Sequence, residues 1–245
     1  MLCRSAAWAP LPPGPLGLVV GDPDTRGRAP ELTAARIEAH AIHQAFYRAG
    51  RYVGRRPDGT PSPAGTGTAK EVSDWLSRTR PGAGATLHLA CHGVVETGPK
   101  DAASYLVLAG GDRLSAEEIV RLTARGPDRG VALAVLAACR TGRSIHGYDE
   151  AYSLGTAFLA GGVRSVLSTQ WSIPDQATSV LMFMFHHYLM ARRLPVWAAL
   201  RQAQLWMLDE RRQPPQSMPA RLRRQLDGAE PAAIEAWAGF VHWGQ

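Results

Sequence analysis

Val131–Gly142 reads VALAVLAACRTG. Its first eight residues are all Val, Ala or Leu, and the run stops at Cys139-Arg140-Thr141-Gly142. A short apolar run closed by a turn signal fits a strand buried on both faces of a parallel sheet. Ala85–Gly93, ATLHLACHG, has the same shape and ends with His92 before a glycine. Open α/β sheets place their sites outside the carboxyl ends of such strands. One buried strand therefore ends in a thiol and another in an imidazole, at positions where chemistry is expected.

Around these two stretches, strand and helix patterns alternate. Strands are expected at Leu16–Val20, Arg51–Val53, Ser104–Leu108, Val163–Thr169 and, as a final edge strand, Trp237–Trp243. Helical spacing marks Glu31–Ala49, Thr68–Arg78, Ser115–Ala124, Tyr148–Ala160, Gln176–Met190 and Pro195–Glu210, with short helices at Arg221–Leu226 and Ala232–Ala236. Ser115-Ala116-Glu117-Glu118 has the S-x-x-E form of a capping box. Gln176–Met190 is apolar nearly all round, so both its sides should contact protein. Val94–Ala103 reads as a loop. Alternation of this kind means an α/β fold with a mostly parallel sheet covered on both faces. Residues 1–15, interrupted by prolines from Pro10 to Pro15, read as a loose tail, and residues 16–245 as a single domain.

The chain has 245 residues and a formal net charge of +6. Its arginines are scattered, which fits solvated helix faces and not a nucleic-acid-binding patch. Three cysteines, Cys3, Cys91 and Cys139, give no disulfide framework, and a reducing, cytoplasmic setting is expected. No signal-peptide core is present, and the longest apolar run, Ser179–Met190, is too short and too polar to span a membrane. No cofactor is implied: neither G-x-G-x-x-G nor G-x-x-x-x-G-K-[ST] occurs, which weakens a flavodoxin-like nucleotide-binding reading. A zinc site from Cys91, His92, Cys139 and His146 lacks C-x-x-C or H-x-x-x-H spacing, so no metal is expected.

Thiolate, and not thiol, attacks a carbonyl, and an ordinary cysteine is only a few per cent ionised near neutrality. A neighbouring imidazole raises that fraction and later protonates the leaving amine. The oxyanion needs N–H donors. Gly93 offers its N–H with no side chain in the way, and the N–H of Cys139 is the natural second donor. Strand alternation places His88, Ala90 and His92 on one face and Leu87, Leu89 and Cys91 on the other, so His88 and Cys91 are read as structural. The pair His186-His187 reads as part of a helix face.

The residues around the thiol are similar to the caspase pattern Q-A-C-[RQG]-G with its histidine about fifty residues upstream. Here the run is Ala137-Ala138-Cys139-Arg140-Thr141-Gly142, and His92 lies 47 residues upstream of Cys139. The fuller resemblance is to CHAT domains, a caspase-like bacterial family distantly similar to separase. Gly21-Asp22-Pro23 with Leu32, Ala35, Arg36 and Glu38 resembles an early block of that family. Leu87–Gly93, Ser104–Leu114, Val135–Gly142, Leu154–Val166, Gln170–Asp175 and Trp237–Gly244 resemble later ones in order.

The resemblance implies a three-layer α/β/α caspase-like sandwich with His92 and Cys139 as a catalytic dyad. It implies a cysteine endopeptidase acting on a protein or peptide substrate, in a bacterial defence or cell-death setting, with a regulator or sensor on a separate chain as a further partner. The family's usual glutamate after the cysteine is Arg140 here. Arginine-specific relatives carry an Asp two residues before the cysteine, where this chain has Ala137, so a basic P1 residue is not inferred. Arg140, Asp149, Glu150, Trp171 and Asp175 are the substrate-pocket candidates. For Trp171, packing is an equal reading; for Asp149, Glu150 and Asp175, favouring a helix N-terminus is the competing one. A non-catalytic module that keeps the fold is the alternative from a different functional class.

Overall fold

The computed structural model describes residues 9–80, 82–96, 103–123, 130–137, 153–171, 175–227 and 230–245. Its main sheet has six strands: β1 (Gly17–Gly21), β2 (Arg51–Gly54), β3 (Ala85–Ala90), β7 (Val131–Leu136), β8 (Ser165–Thr169) and β9 (Phe240–Gly244). They lie in the order β2-β1-β3-β7-β8-β9, all parallel except β9, which pairs antiparallel with β8. A second, three-stranded antiparallel sheet is built from β4 (His92–Glu96), β5 (Ala103–Val107) and β6 (Arg113–Ser115).

The helices are α1 (Thr33–Phe46), α2 (Ala69–Arg78), α3 (Ala116–Thr123), α4 (Leu154–Ala160), α5 (Asp175–His186), α6 (Val196–Leu208), α7 (Ala220–Asp227) and α8 (Ile234–Trp237). They cover both faces of the main sheet. Val19, Ala90, Leu133, Val135, Leu167 and Phe240 pack with α1, α5, α6, α7 and α8. Leu18, Val20, Leu87, Leu89, Cys91, Ala134, Leu136 and Val166 pack on the other side with α2, α3 and α4. Period-two alternation sorts each strand between these cores. At the start of β7 the register shifts: Ala85 pairs with Val131 but Thr86 pairs with Leu133. The extra residue, Ala132, turns Val131 to the α2–α4 side.

Local chemistry explains most element ends. The Thr68 hydroxyl accepts from the Glu71 N–H while the Glu71 carboxylate accepts from the Thr68 N–H. Ser115 and Glu118 close the same reciprocal pair at α3. The Ser153 hydroxyl accepts from the Thr156 N–H, so α4 starts there; the earlier part of the helix expected from Tyr148 lies outside the described residues. Every residue from Ala177 to His186 is buried, as the apolar character of α5 requires. A π-helical turn, His187–Ala191, follows it. The expected edge strand forms as β9 but begins at Phe240; Trp237, expected to open it, closes α8 instead.

One expectation is corrected. Val94 and Val95 belong to β4, paired with Tyr105 and Ser104 of β5, and not to a loop. The strand owes its existence to a partner beyond it in sequence, and its residues carry no alternation that marks it in isolation. The Tyr105 hydroxyl donates to Glu96 Oε1 at 2.5 Å, and the Arg113 guanidinium lies 4.2 Å from the Tyr105 ring centre. Those contacts fasten the three short strands to each other.

His88 and His186 are not ordinary face residues. Both are fully buried between β3 and the α1–α5 layer. The Tyr47 hydroxyl lies 2.9 Å from His186 Nδ1, His186 Nε2 lies 3.1 Å from His88 Nδ1, and His88 Nε2 lies 2.9 Å from Glu38 Oε1. Burial pushes the Tyr47 phenol up, so it stays protonated.

Burial also lowers both imidazoles, His88 to about 3, and the neighbouring His88 adds to the effect on His186. In the unfolded chain each histidine gains a proton below its ordinary value of 6.5. The unfolded state then binds more protons than the folded one, so this contribution is intact above pH 6.5 and is lost on acidification. The loss is roughly 1.4 kcal/mol per pH unit for each histidine. Urea unfolding is expected to show a lower midpoint at pH 5 than at pH 7. In His186→Phe the same comparison should give a shallower dependence; an unchanged slope would mean that the buried imidazole is not the titrating group.

Candidate functional site

The site is built at the carboxyl end of β1 and β3. Gly21 pairs with Gly54 on one side and with Ala90 on the other. Gly54 has φ +106°, and a Cβ there would lie 2.2 Å from the Gly21 carbonyl oxygen, so only glycine lets β2 run this close. Just beyond Gly21, Asp22 donates its N–H to the Ala90 carbonyl at 2.8 Å. Its carboxylate is 2% exposed.

That buried carboxylate is compensated from three directions. Arg55 Nη2 lies 2.7 Å from Asp22 Oδ2, the Leu32 N–H donates to Oδ1 at 3.0 Å, and Arg36 Nη1 stands 3.8 Å from Oδ2. Arg55 Nη1 and Arg36 Nη2 each reach a different oxygen of Glu31, both at 2.7 Å. The hydrogen bond from Arg36, then the charge of Arg55, hold the Glu31 carboxyl below its ordinary range.

His92 is the first residue of β4, directly after β3 and Cys91. It pairs with Val107, and Gly93 pairs with Leu106. His92 Nε2 lies 2.7 Å from the carbonyl oxygen of Pro30, in the loop between β1 and α1. A carbonyl only accepts, so Nε2 carries the proton. In the neutral ring Nδ1 is then the basic nitrogen, available to take or hold a proton on the other side.

Cys91 is a buried core thiol. It is 1% exposed, and burial, reinforced by the Asp22 charge, pushes its thiol up to about 12. Its side chain points into the α2–α4 core while Ala90 belongs to the other core, in the alternation expected of β3.

The parallel pairing of β3 and β7 is in register at His88–Val135 and Leu89–Leu136, so the two strands leave the sheet side by side at the end where His92 stands. Ala137 follows and is buried. Cys139, Arg140, Asp149 and Glu150 lie outside the described residues. Trp171 follows β8, parallel to β7, and is therefore at the same end of the sheet; it is 38% exposed. Asp175 opens α5. Among the described residues no group of three or more His, Cys, Asp or Glu side chains is arranged to hold a metal ion, and no helix is long and apolar enough to cross a membrane.

A groove of about 720 Å³ lies elsewhere. It is formed by Pro10–Pro15 with Arg164, Ser165, Leu189–Met190, Arg193–Val196 and Gln245. Ser165 begins β8 and Gln245 follows β9, so this groove sits at the amino end of the parallel strands, away from His92.

The sequence pointed to His92 through its place before glycine at a strand end. The Pro30 carbonyl escaped it, because a backbone acceptor leaves no side-chain signature. Asp22, Arg36 and Leu32 stood in the early block but without a role, and Arg55 and Glu31 carried no signal.

A sequence model of the CHAT domain family matches residues 2–245. No curated protein matches the sequence. Among solved structures the chain is similar to the Arg-specific cysteine proteinase gingipain R, with a TM-score of 0.56 and 10% identity over 99% of this chain and 50% of that one. It is likewise similar to the complex of RgpB pro- and mature domains from Porphyromonas gingivalis, with a TM-score of 0.55 and 11% identity over 99% and 51%. The chain thus spans about half the length of these gingipain chains. At such identity the likeness is one of fold, and the fold is the caspase-like α/β sandwich. The family match runs along the length of the sequence: the chain belongs to the CHAT domain family.

Proposed function

We propose that this chain is a cysteine endopeptidase that works through His92 and Cys139 and cuts a protein partner. The observation that carries the reading is the 2.7 Å contact between His92 Nε2 and the Pro30 carbonyl. A histidine held in one tautomer by a backbone acceptor at the carboxyl end of a central parallel strand is what a base–acid catalyst needs. In this mechanism Nδ1 draws the proton from the Cys139 thiol. The thiolate adds to the scissile carbonyl, and the N–H groups of Gly93 and Cys139 donate to the oxyanion. Collapse expels the amine, which takes its proton from Nδ1, and water then releases the acyl group from sulfur. The Pro30 carbonyl stabilises the imidazolium formed between these steps through the Nε2–H.

The exposed Trp171, with Arg140, Asp149, Glu150 and Asp175, supplies the pocket for the substrate side chains in this reading. Ala137 stands where arginine-specific relatives carry an acid, so the P1 preference is not assigned to a basic residue. A regulator on a separate chain and a defence or cell-death setting complete the reading.

Cys139→Ala and His92→Ala are each expected to lower cleavage of a sensitive protein substrate by about a thousandfold or more, with an unchanged circular dichroism spectrum. Substrates come from mapping new N-termini in a proteome incubated with the purified protein. Full cutting by either variant would remove the dyad assignment, and a wild-type protein that cuts nothing and never reacts with a thiol-directed peptide probe would favour the non-catalytic module. The burial of Cys91 makes a separate prediction. In a Cys3→Ala/Cys139→Ala variant, a thiol reagent should label the protein only after denaturation; rapid labelling of the folded variant would return Cys91 as a rival nucleophile.

A further inference from the structure

We infer that Asp22, with Arg55, Glu31 and Arg36, is the positioning set for His92: it clamps the loop whose Pro30 carbonyl fixes the imidazole. The inference rests on the peptidase reading for its kinetic consequence, but its geometry stands independently of it. Pro30 makes the contact with His92 through its backbone alone, so its oxygen points correctly only if the residues on either side of it are held.

Both sides are held. On the amino side, the Thr25 hydroxyl donates to the Ala29 carbonyl at 2.9 Å and accepts from the Ala29 N–H at 3.1 Å. The Asp24 carbonyl accepts from the Gly110 N–H at 2.8 Å, which ties the same loop to the turn between β5 and β6. On the carboxyl side, the two residues after Pro30 are both gripped. Glu31 is forked between Arg55 and Arg36, and the Leu32 N–H is taken by Asp22 Oδ1.

The contacts on the carboxyl side converge on Asp22. Its backbone N–H is bonded to Ala90, two residues before His92, while its carboxylate holds the far side of the loop. Arg55 bridges the two halves, donating Nε to the Asp22 carbonyl at 2.9 Å, Nη2 to its carboxylate and Nη1 to Glu31. Asp22 itself takes φ +40°, a backbone conformation that the surrounding contacts maintain. One buried carboxylate therefore references the donor strand and the acceptor loop to each other. Neither Asp22 nor Arg55 is placed against substrate; both act through Pro30 and His92.

The test uses Asp22→Asn, Arg55→Met, Arg55→Lys and Glu31→Gln. Glu31 is the gentlest site, because its side chain is 60% exposed. Long-range ¹⁵N NMR of the histidine rings reports the tautomer of His92 without requiring activity. The wild type is expected to show the Nε2–H form, and Asp22→Asn, Arg55→Met and Glu31→Gln a mixture of tautomers, with Arg55→Lys closer to wild type. With a cleavable substrate, kcat should fall about ten- to a hundredfold in the same variants, with KM little changed. A purely structural role would lower the melting temperature and leave the tautomer and the kcat-to-KM pattern alone. Variants that fold and keep the wild-type ring spectrum overturn the inference, even if the wild type is a fully active peptidase. A changed ring spectrum in a protein that cleaves nothing supports the clamp while removing the peptidase reading. Should Asp22→Asn fail to fold, Glu31→Gln decides by the same ring signals.

Discussion

The structure depends on one constraint: β3 and β7 pair in parallel at the centre of a sheet that is covered by helices on both faces. A strand in that position has no wet side, so its residues must be apolar or fully compensated. Polar chemistry is driven to the strand ends. It gathers at the carboxyl end, where β1 stops at Asp22, β3 runs into His92 and β7 runs out through Ala137. The helices that bury the strands also limit the approach of any partner to that edge.

The same constraint explains how sparingly the core uses polar groups. His88 is in mid-strand, and its two ring nitrogens face His186 and Glu38. The buried line from Tyr47 through His186 to His88, with Glu38 beside it, joins α1, β3 and α5. Hydrogen-bonded interior groups of this kind fix how layers register against each other, which apolar packing alone leaves freer. The Asp22–Arg55–Glu31–Arg36 cluster works differently. It lies at the sheet's edge, where Asp22 is enclosed but Glu31 still meets solvent, so its charges are paired without complete desolvation.

His92 joins the two sheets. It ends the path of β3 and begins β4, so the small antiparallel sheet anchors its backbone while the loop before α1 anchors its ring. The proposed mechanism needs both: backbone placement sets where the ring is, and the Nε2 contact sets which nitrogen is free. The groove beside Pro10–Pro15 has volume but no such anchored group, and volume alone does not make an active site.

Much of the architecture is legible in the residues themselves. Apolar runs, helical spacing, the Ser115 capping pair and the terminal edge strand are local or periodic signals, and the alternation in Leu87–His92 already separates Cys91 from His92. What the sequence determined alone was most of the elements of the main sheet and its helices, the two strand ends and the residue types offered there. Tertiary structure decided the rest. Val94 and Val95 became a strand through pairing with β5, and His186 became a core group through His88, a contact across 98 residues of sequence. Pro30 became the partner of His92 only because Asp22 and Arg55 fold its loop across the end of β3. Those outcomes rest on pairings between distant segments and on a backbone oxygen, and neither is written in the identity of a residue or the spacing of its neighbours.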